Sequence, residues 1–240
     1  MPDVRRPASQ AIDPTSNMVT VRVSWEDLSQ DFLIHDSFLC KSSDFFAAAL
    51  RGEWRESTER VVPLPAVLPE HFKLYYNWIY TGKIYSAPDG HIEKALKFES
   101  GTLFKKEMSS LIQCWILGHR LLDIRFTDTV MDTLILVGED YPGYIDLKDD
   151  LKAIYTETMP RSSLRCFVTE YIVHCCKDKT LTETYGDVSL PEDFLKDLLS
   201  GLIEFRPYRI RPAPSMPRWR DDPCEFHEHT REGKPCWTTT

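Results

Sequence analysis

The sequence predicts an α+β domain, a small sheet flanked by helices, followed by an α-helical extension and a proline-rich extended tail. Three observations carry this. Residues 19–23 and 32–34 alternate apolar with polar, the period of half-buried strands. Residues 44–82 hold two helical runs bounded by cap and turn residues, each preceded by a short extended segment. From residue 109 to 202 apolar residues recur at helical spacing. Beyond Arg206, Pro207, Pro212, Pro214, Pro217, Pro223 and Pro235 then exclude a long helix or a central strand.

Taken in order, residues 1–17 hold Pro2, Pro7 and Pro14 and no apolar period, which reads as a flexible N-terminal lead. Val19, Val21 and Val23 form a strand with one buried face, and with a turn over 25–30 it makes a hairpin with Phe32–Ile34. His35 and Asp36 open a helical turn carrying Phe38 and Leu39. Ser42 and Ser43 stand where a hydroxyl can accept a free helix N–H, and Phe45, Phe46, Ala49 and Leu50 line the helix that follows. Gly52 takes its left-handed C′ place. Residues 60–64 read as a short or edge strand, because Pro63 cannot donate to a ladder. Pro69 opens the next helix, Phe72, Tyr75, Tyr76 and Ile79 line it, and Gly82 closes it.

Ile84 and Tyr85 suggest a brief extended piece. Residues 86–109 read as a long polar loop with a helical turn around 92–96, a length associated with function or mobility. Ser109 or Ser110 caps a helix bearing Leu111, Cys114, Trp115, Gly118 and Leu122; Phe126, Val130, Leu134 and Val137 mark another that stops at Gly138. After the turn Pro142-Gly143, Leu147, Leu151, Ile154 and Tyr155 mark a third. Pro160 interrupts, Ser162 or Ser163 restarts a helix through Leu164, Phe167, Tyr171 and Cys175, and residues 177–189 form a polar linker. The last helix begins at Pro191-Glu192-Asp193, acidic where the dipole favours it, and carries Phe194, Leu195, Leu198, Leu199 and Leu202.

With 42% hydrophobic residues in 240, the chain can bury a sizeable core. A formal net charge of −8 and a pI near 5.4 argue against broad binding of nucleic acid or anionic membranes. No apolar run has the length of a membrane span. Arg5 and Arg6 are not followed by an apolar run, so no secretory signal is expected. Seven cysteines, an odd number spread through helices, fit reduced thiols in an intracellular protein.

His35, Leu39, Ser43 and Phe46 spell H-x-x-x-L-x-x-x-S-x-x-F, and Trp78, Ile79, Tyr80, Thr81 and Gly82 close the block as W-I-Y-T-G. Together these motifs resemble the BTB/POZ domain, in particular the BTB-domain proteins of fungi. The resemblance implies a BTB/POZ domain over 18–138, closed by a helical hairpin, with a helical extension over 139–205 and a tail over 206–240. It also implies a non-catalytic protein–protein interaction module. The more specific form is a self-associating, homodimeric adaptor that recruits a target to a cullin-based ubiquitin ligase. Trp54-Arg55-Glu56 matches the hydrophobic–x–Glu motif with which such adaptors hold the cullin. Physically, an exposed ring fills a pocket and the carboxylate fixes orientation. The plainer reading is that Trp54 packs on its own domain and Glu56 is solvated. Many BTB domains carry an acidic residue early in the first strand; none stands within Val19–Val23.

Other residues are weighed in the same way. His35 reads as a half-buried histidine shaping a turn rather than as a base, since no nucleophile signature surrounds it. Cys224, His227, His229 and Cys236 form C-x2-H-x-H-x6-C, four ligands that could make a tetrahedral zinc site, against the reading of a disordered tail with chance ligands. With zinc, the alternative function is a metal-stabilised transcription or chromatin-associated regulator. His227 and His229 are two apart, so both reach one ion only from loop or extended backbone. Cys175-Cys176 reads as packing, and Phe72, Tyr75, Tyr76 and Trp78 as core rather than a base-stacking platform. Arg206, Arg209, Arg211, Arg218 and Arg220 read as a solvated linker. No phosphate loop, nucleophile elbow, dinucleotide fingerprint or metalloprotease helix is present, so no catalytic residue and no small-molecule substrate are expected, and zinc is the only candidate cofactor.

Overall fold

The computed structural model describes residues 15–51, 55–87, 100–140, 146–175, 185, 189–204 and 217–236. Alternating valines commit β1 (Met18–Trp25) to the middle of a three-stranded sheet, and Val19, Val21 and Val23 are fully buried on one face. β2 (Leu28–His35) pairs with it antiparallel, Val21 opposite Phe32 and Val19 opposite Ile34. On the outer face Arg22 donates two hydrogen bonds to Asp31, at 2.8 and 2.9 Å. β3 (Val61–Pro65) pairs with β1 in parallel at the other side. It is an edge strand, so Pro63 is tolerated.

Ser43 separates α1 (Asp36–Ser42) from α2 (Asp44–Leu50). Its backbone is extended, its hydroxyl accepts the Phe46 N–H at 3.1 Å, and it donates to the Leu121 carbonyl at 2.6 Å. α3 (Arg55–Glu59) is short. α4 (Pro69–Thr81) begins with Pro69 and ends at Gly82, whose φ of +66° is left-handed and whose N–H reaches the Trp78 carbonyl at 2.7 Å. Its buried rings meet others edge-to-face: Phe72 against Phe32 at 4.9 Å, Tyr75 against Phe126 at 4.9 Å.

α5 (Ser100–Arg120) and α6 (Ile124–Asp140) form the helical hairpin after this nucleus. A Cβ on Gly118 would stand 2.6 Å from Thr127 Oγ1 and 2.8 Å from a Phe126 ring carbon, so glycine lets the two helices meet. α7 (Lys148–Glu157), α8 (Ser163–Cys175) and α9 (Glu192–Glu204) follow. Two 3-10 turns (Arg218–Arg220 and Pro223–Phe226) and α10 (Glu228–Arg231) close the described chain. One buried apolar cluster runs from Val19 to Phe226.

Several expectations are corrected. The long loop does not reach 109: α5 starts at Ser100, because Phe104, Met108, Leu111 and Ile112 turn inward while the lysines face out. α6 runs two residues past Gly138, which lies under the Tyr171 ring, 2.7 Å from where its Cβ would be. Residues 217–236 are not extended; Trp219 and Phe226 are buried against Phe167, and that burial folds them. Thr15, Ser16 and Asn17 belong to the domain rather than to a lead, the Asn17 carbonyl accepting the Asp36 N–H at 2.9 Å. Residues 1–14, Gly52, the turn at 92–96, Pro142-Gly143 and Cys176 lie outside the described residues.

At the centre of the nucleus lies Asp123, in the turn between α5 and α6 and fully buried. It accepts from Ser42 Oγ at 2.5 Å, from the Tyr75 hydroxyl at 3.0 Å and from the Phe126 N–H at 3.0 Å. Burial raises its carboxyl to about 6, although these three bonds pull it down. Asp123→Ala strands three donors, two of them buried, and is expected to cost about 3–5 kcal/mol in urea unfolding. Because the folded pKa lies above the unfolded one, the Asp123 proton favours the folded state. That contribution is complete below about pH 4 and is lost as pH rises through about 6. The unfolding midpoint of wild type should therefore fall across this window relative to Asp123→Asn; parallel profiles would refute the assignment.

Candidate functional site

The motif residues sit inside the nucleus. Leu39, Ser43, Phe46 and Trp78 are buried. His35 precedes α1; its N–H donates to the Tyr80 hydroxyl at 3.0 Å, and that hydroxyl lies 2.9 Å from Nδ1. A hydroxyl that accepts the backbone N–H and donates to Nδ1 leaves the ring proton on Nε2, an arrangement that holds β2 to the end of α4. His35 and Tyr80 are thus brought together at one corner, while Leu39, Ser43 and Phe46 are buried in the nucleus. Of the cullin-type triplet, Trp54 lies outside the described residues, Arg55 opens α3, and Glu56 stands half-buried in its first turn.

Apolar residues are exposed at two places. On the hairpin Trp25 and Leu28 pair at the tip on the face that carries Phe32 and Ile34, while Leu33 stands on the opposite, outer face of the sheet, with Leu28 and Leu33 each 56% exposed. On α9 Leu195, Leu199 and Ile203 recur every four residues on the face opposite buried Phe194 and Leu198. A cleft of about 940 Å³ opens between the β3–α4 connection and α5, lined among others by Trp25, Leu68, His71, Ile116 and Arg120. Burial lowers the His71 pKa against the pull of Glu70, so its ring is neutral at physiological pH.

The tail brings Cys224, His227, His229 and Cys236 together, with the four candidate ligand atoms all within 4.8 Å of one another. Asp222 caps the second 3-10 turn by accepting the Cys224 N–H at 2.9 Å. The chain is extended at His227 and turns helical at once, so the two histidines stand at the cap and in the first turn of α10 rather than along a loop. Gly233, at φ +65°, reverses the chain, and the Lys234 N–H returns to the His229 carbonyl at 2.9 Å, which brings Cys236 back beside Cys224. Their sulfurs are 3.9 Å apart. Both histidines are buried and each is held by a carboxylate of α6: His227 Nε2 lies 2.8 Å from Asp132 and His229 Nδ1 2.6 Å from Asp128. Asp128 also accepts the Glu228 N–H at 2.7 Å.

Burial raises the Asp128 carboxyl, against the bonds from His229 and the Glu228 N–H. For His227, burial pulls the pKa down but the bond and charge of Asp132 outweigh it, and the net shift is upward. Burial and the neighbouring Cys236 push the Cys224 thiol up to about 11. Sequence reasoning found the four tail ligands and missed both aspartates. The available signal was an acidic pair at i, i+4 on a helix whose other inward positions are apolar. The arginines beside them are not a solvated run: Arg218 donates to buried Glu170 through its N–H at 2.6 Å and Nε at 2.8 Å, and Arg220 pairs with Glu139 at 2.9 Å. Arg206, Arg209 and Arg211 lie outside the described residues.

A sheet of order β2-β1-β3 is flanked by α1 and α4, and His35 and Tyr80 join the end of β2 to the end of α4. Residues 13–113 match the family model of the BTB/POZ domain. That domain is a protein-interaction module, not a catalytic one. The match ends within α5. No helix among the described residues is long and apolar enough to cross a membrane.

Proposed function

We propose that this chain is a non-catalytic, intracellular adaptor: a BTB/POZ half over 18–138 that self-associates, and a helical extension over 139–205 that carries a target. The single observation behind it is that large apolar side chains stand exposed on both halves, Trp25 and Leu28 at the hairpin tip and Leu33 on the outer face of the sheet on one, and the row Leu195, Leu199 and Ile203 on the other. Rows of this kind mark contact surfaces more often than chance exposure does. The six described cysteines, none of them in a disulfide, support an intracellular setting. Sedimentation of the full chain at micromolar concentration should give a dimer, and Leu28→Glu with Leu33→Glu should give a folded monomer. A wild type that stays monomeric would sink self-association.

The ligase form of the adaptor rests on Trp54-Arg55-Glu56, with Glu56 at the first turn of α3. Affinity purification from the native cell, read by mass spectrometry, separates the readings. Recovery of a cullin with wild type, reduced about tenfold or more by Glu56→Ala, supports the ligase role. Its absence from wild type removes that role. Leu199→Asp should remove a further partner without altering the oligomeric mass; if every partner survives, α9 is not the target-bearing face. The regulator reading gains no support from charge, because Glu170 and Glu139 already neutralise Arg218 and Arg220.

A further inference from the structure

We propose that Cys224, His227, His229 and Cys236 bind one zinc ion in a closed structural site that clamps the C-terminal segment to α6. The donor set is two thiolates and two imidazoles, the soft, four-coordinate combination that zinc favours and that hard, oxygen-seeking calcium and magnesium do not. Two thiolates on one tetrahedral zinc, each at roughly 2.3 Å, stand roughly 3.8 Å apart. Cys224 and Cys236 Sγ are 3.9 Å apart, about twice the length of a disulfide bond.

The histidines are prepared in the same sense. A carboxylate can only accept, so Asp132 holds the His227 proton on Nε2 and Asp128 holds the His229 proton on Nδ1. That leaves His227 Nδ1 and His229 Nε2 as the ligating atoms. His227 is 2% exposed, yet its Nδ1 is buried without a hydrogen-bond partner. A packed histidine with no further duty would not strand that atom at a cost of about 1–3 kcal/mol; a metal bond satisfies it. A carboxylate behind each imidazole is the usual way a protein orients a zinc-bound histidine. With four protein ligands the site has no open position, so its role is to hold structure.

The clamp ties residues that are a hundred apart: Asp128 and Asp132 on α6, and the tail from 222 to 236. Trp219, Phe226 and the Arg218–Glu170 pair anchor the same segment independently. Loss of metal should therefore loosen residues 224–236 without unfolding the domain.

The test uses the full chain, purified in reducing buffer without added metal. Elemental analysis should find one zinc per chain, and Cys236→Ser should lose it while keeping its helical circular dichroism. Exchange into cobalt should give the intense visible bands of a tetrahedral thiolate site. Asp132→Asn should keep those bands but weaken cobalt binding about 10- to 100-fold. In wild type treated with a strong chelator, amides of 224–236 should exchange faster while those of α2 stay unchanged, a readout that does not depend on any variant folding. Folded, reduced protein with far less than one zinc per chain and no tetrahedral cobalt spectrum would overturn the proposal. So would full metal retention in Cys236→Ser.

Discussion

The buried carboxylate of Asp123 is the constraint on which the rest of the domain depends. It sits in a three-residue turn between two long helices and gathers donors from the α1–α2 boundary, from α4 and from the first turn of α6. Ser43, next to one of those donors, caps α2 and reaches the Leu121 carbonyl in the same turn. Four elements are thereby set against one another by groups that are costly to leave unpaired out of water. Apolar packing alone would allow Phe46, Tyr75 and Phe126 to slide; the polar knot beneath them does not.

The same physics recurs outward from this centre. Buried Arg165 donates to the Thr158 hydroxyl and carbonyl and to the Tyr155 carbonyl, and lies over the Tyr155 ring, holding α8 to the end of α7. Tyr155 in turn donates to Asp197 of α9 at 2.9 Å. Glu170 receives Arg218, and Asp128 receives His229. At each layer an apolar face supplies the bulk of the burial energy and one polar pair selects the register. The extension and the tail are consequently continuous with the BTB/POZ core rather than appended to it.

For function, this arrangement separates rigid from available surface. The family motifs are absorbed into the core and the His35–Tyr80 corner, which is why His35 serves architecture. Among the described residues, the surfaces left outward include the hairpin tip, the outer stripe of α9 and the cleft beside α5.

Much of this was legible in the chain itself wherever the determinant was local. Alternating valines announced β1, Ser43 three residues before Phe46 announced a cap, and Pro69 and Gly82 bracketed α4, because each signal acts within one turn or one strand. The W-I-Y-T-G block and the Cys/His spacing were equally visible. Other features were not. The lysines of α5 hid its first two turns, since the inward side of a helix is known only once a neighbour covers it. Asp123 and Asp128 carry no local signal that sets them apart from other acids, and the proline-rich tail read as extended. Their partners lie from about fifty to a hundred residues away along the chain. Caps, turns and periods are decided by backbone geometry over a few residues; the pairing of buried charge is decided by which surfaces the finished fold brings together.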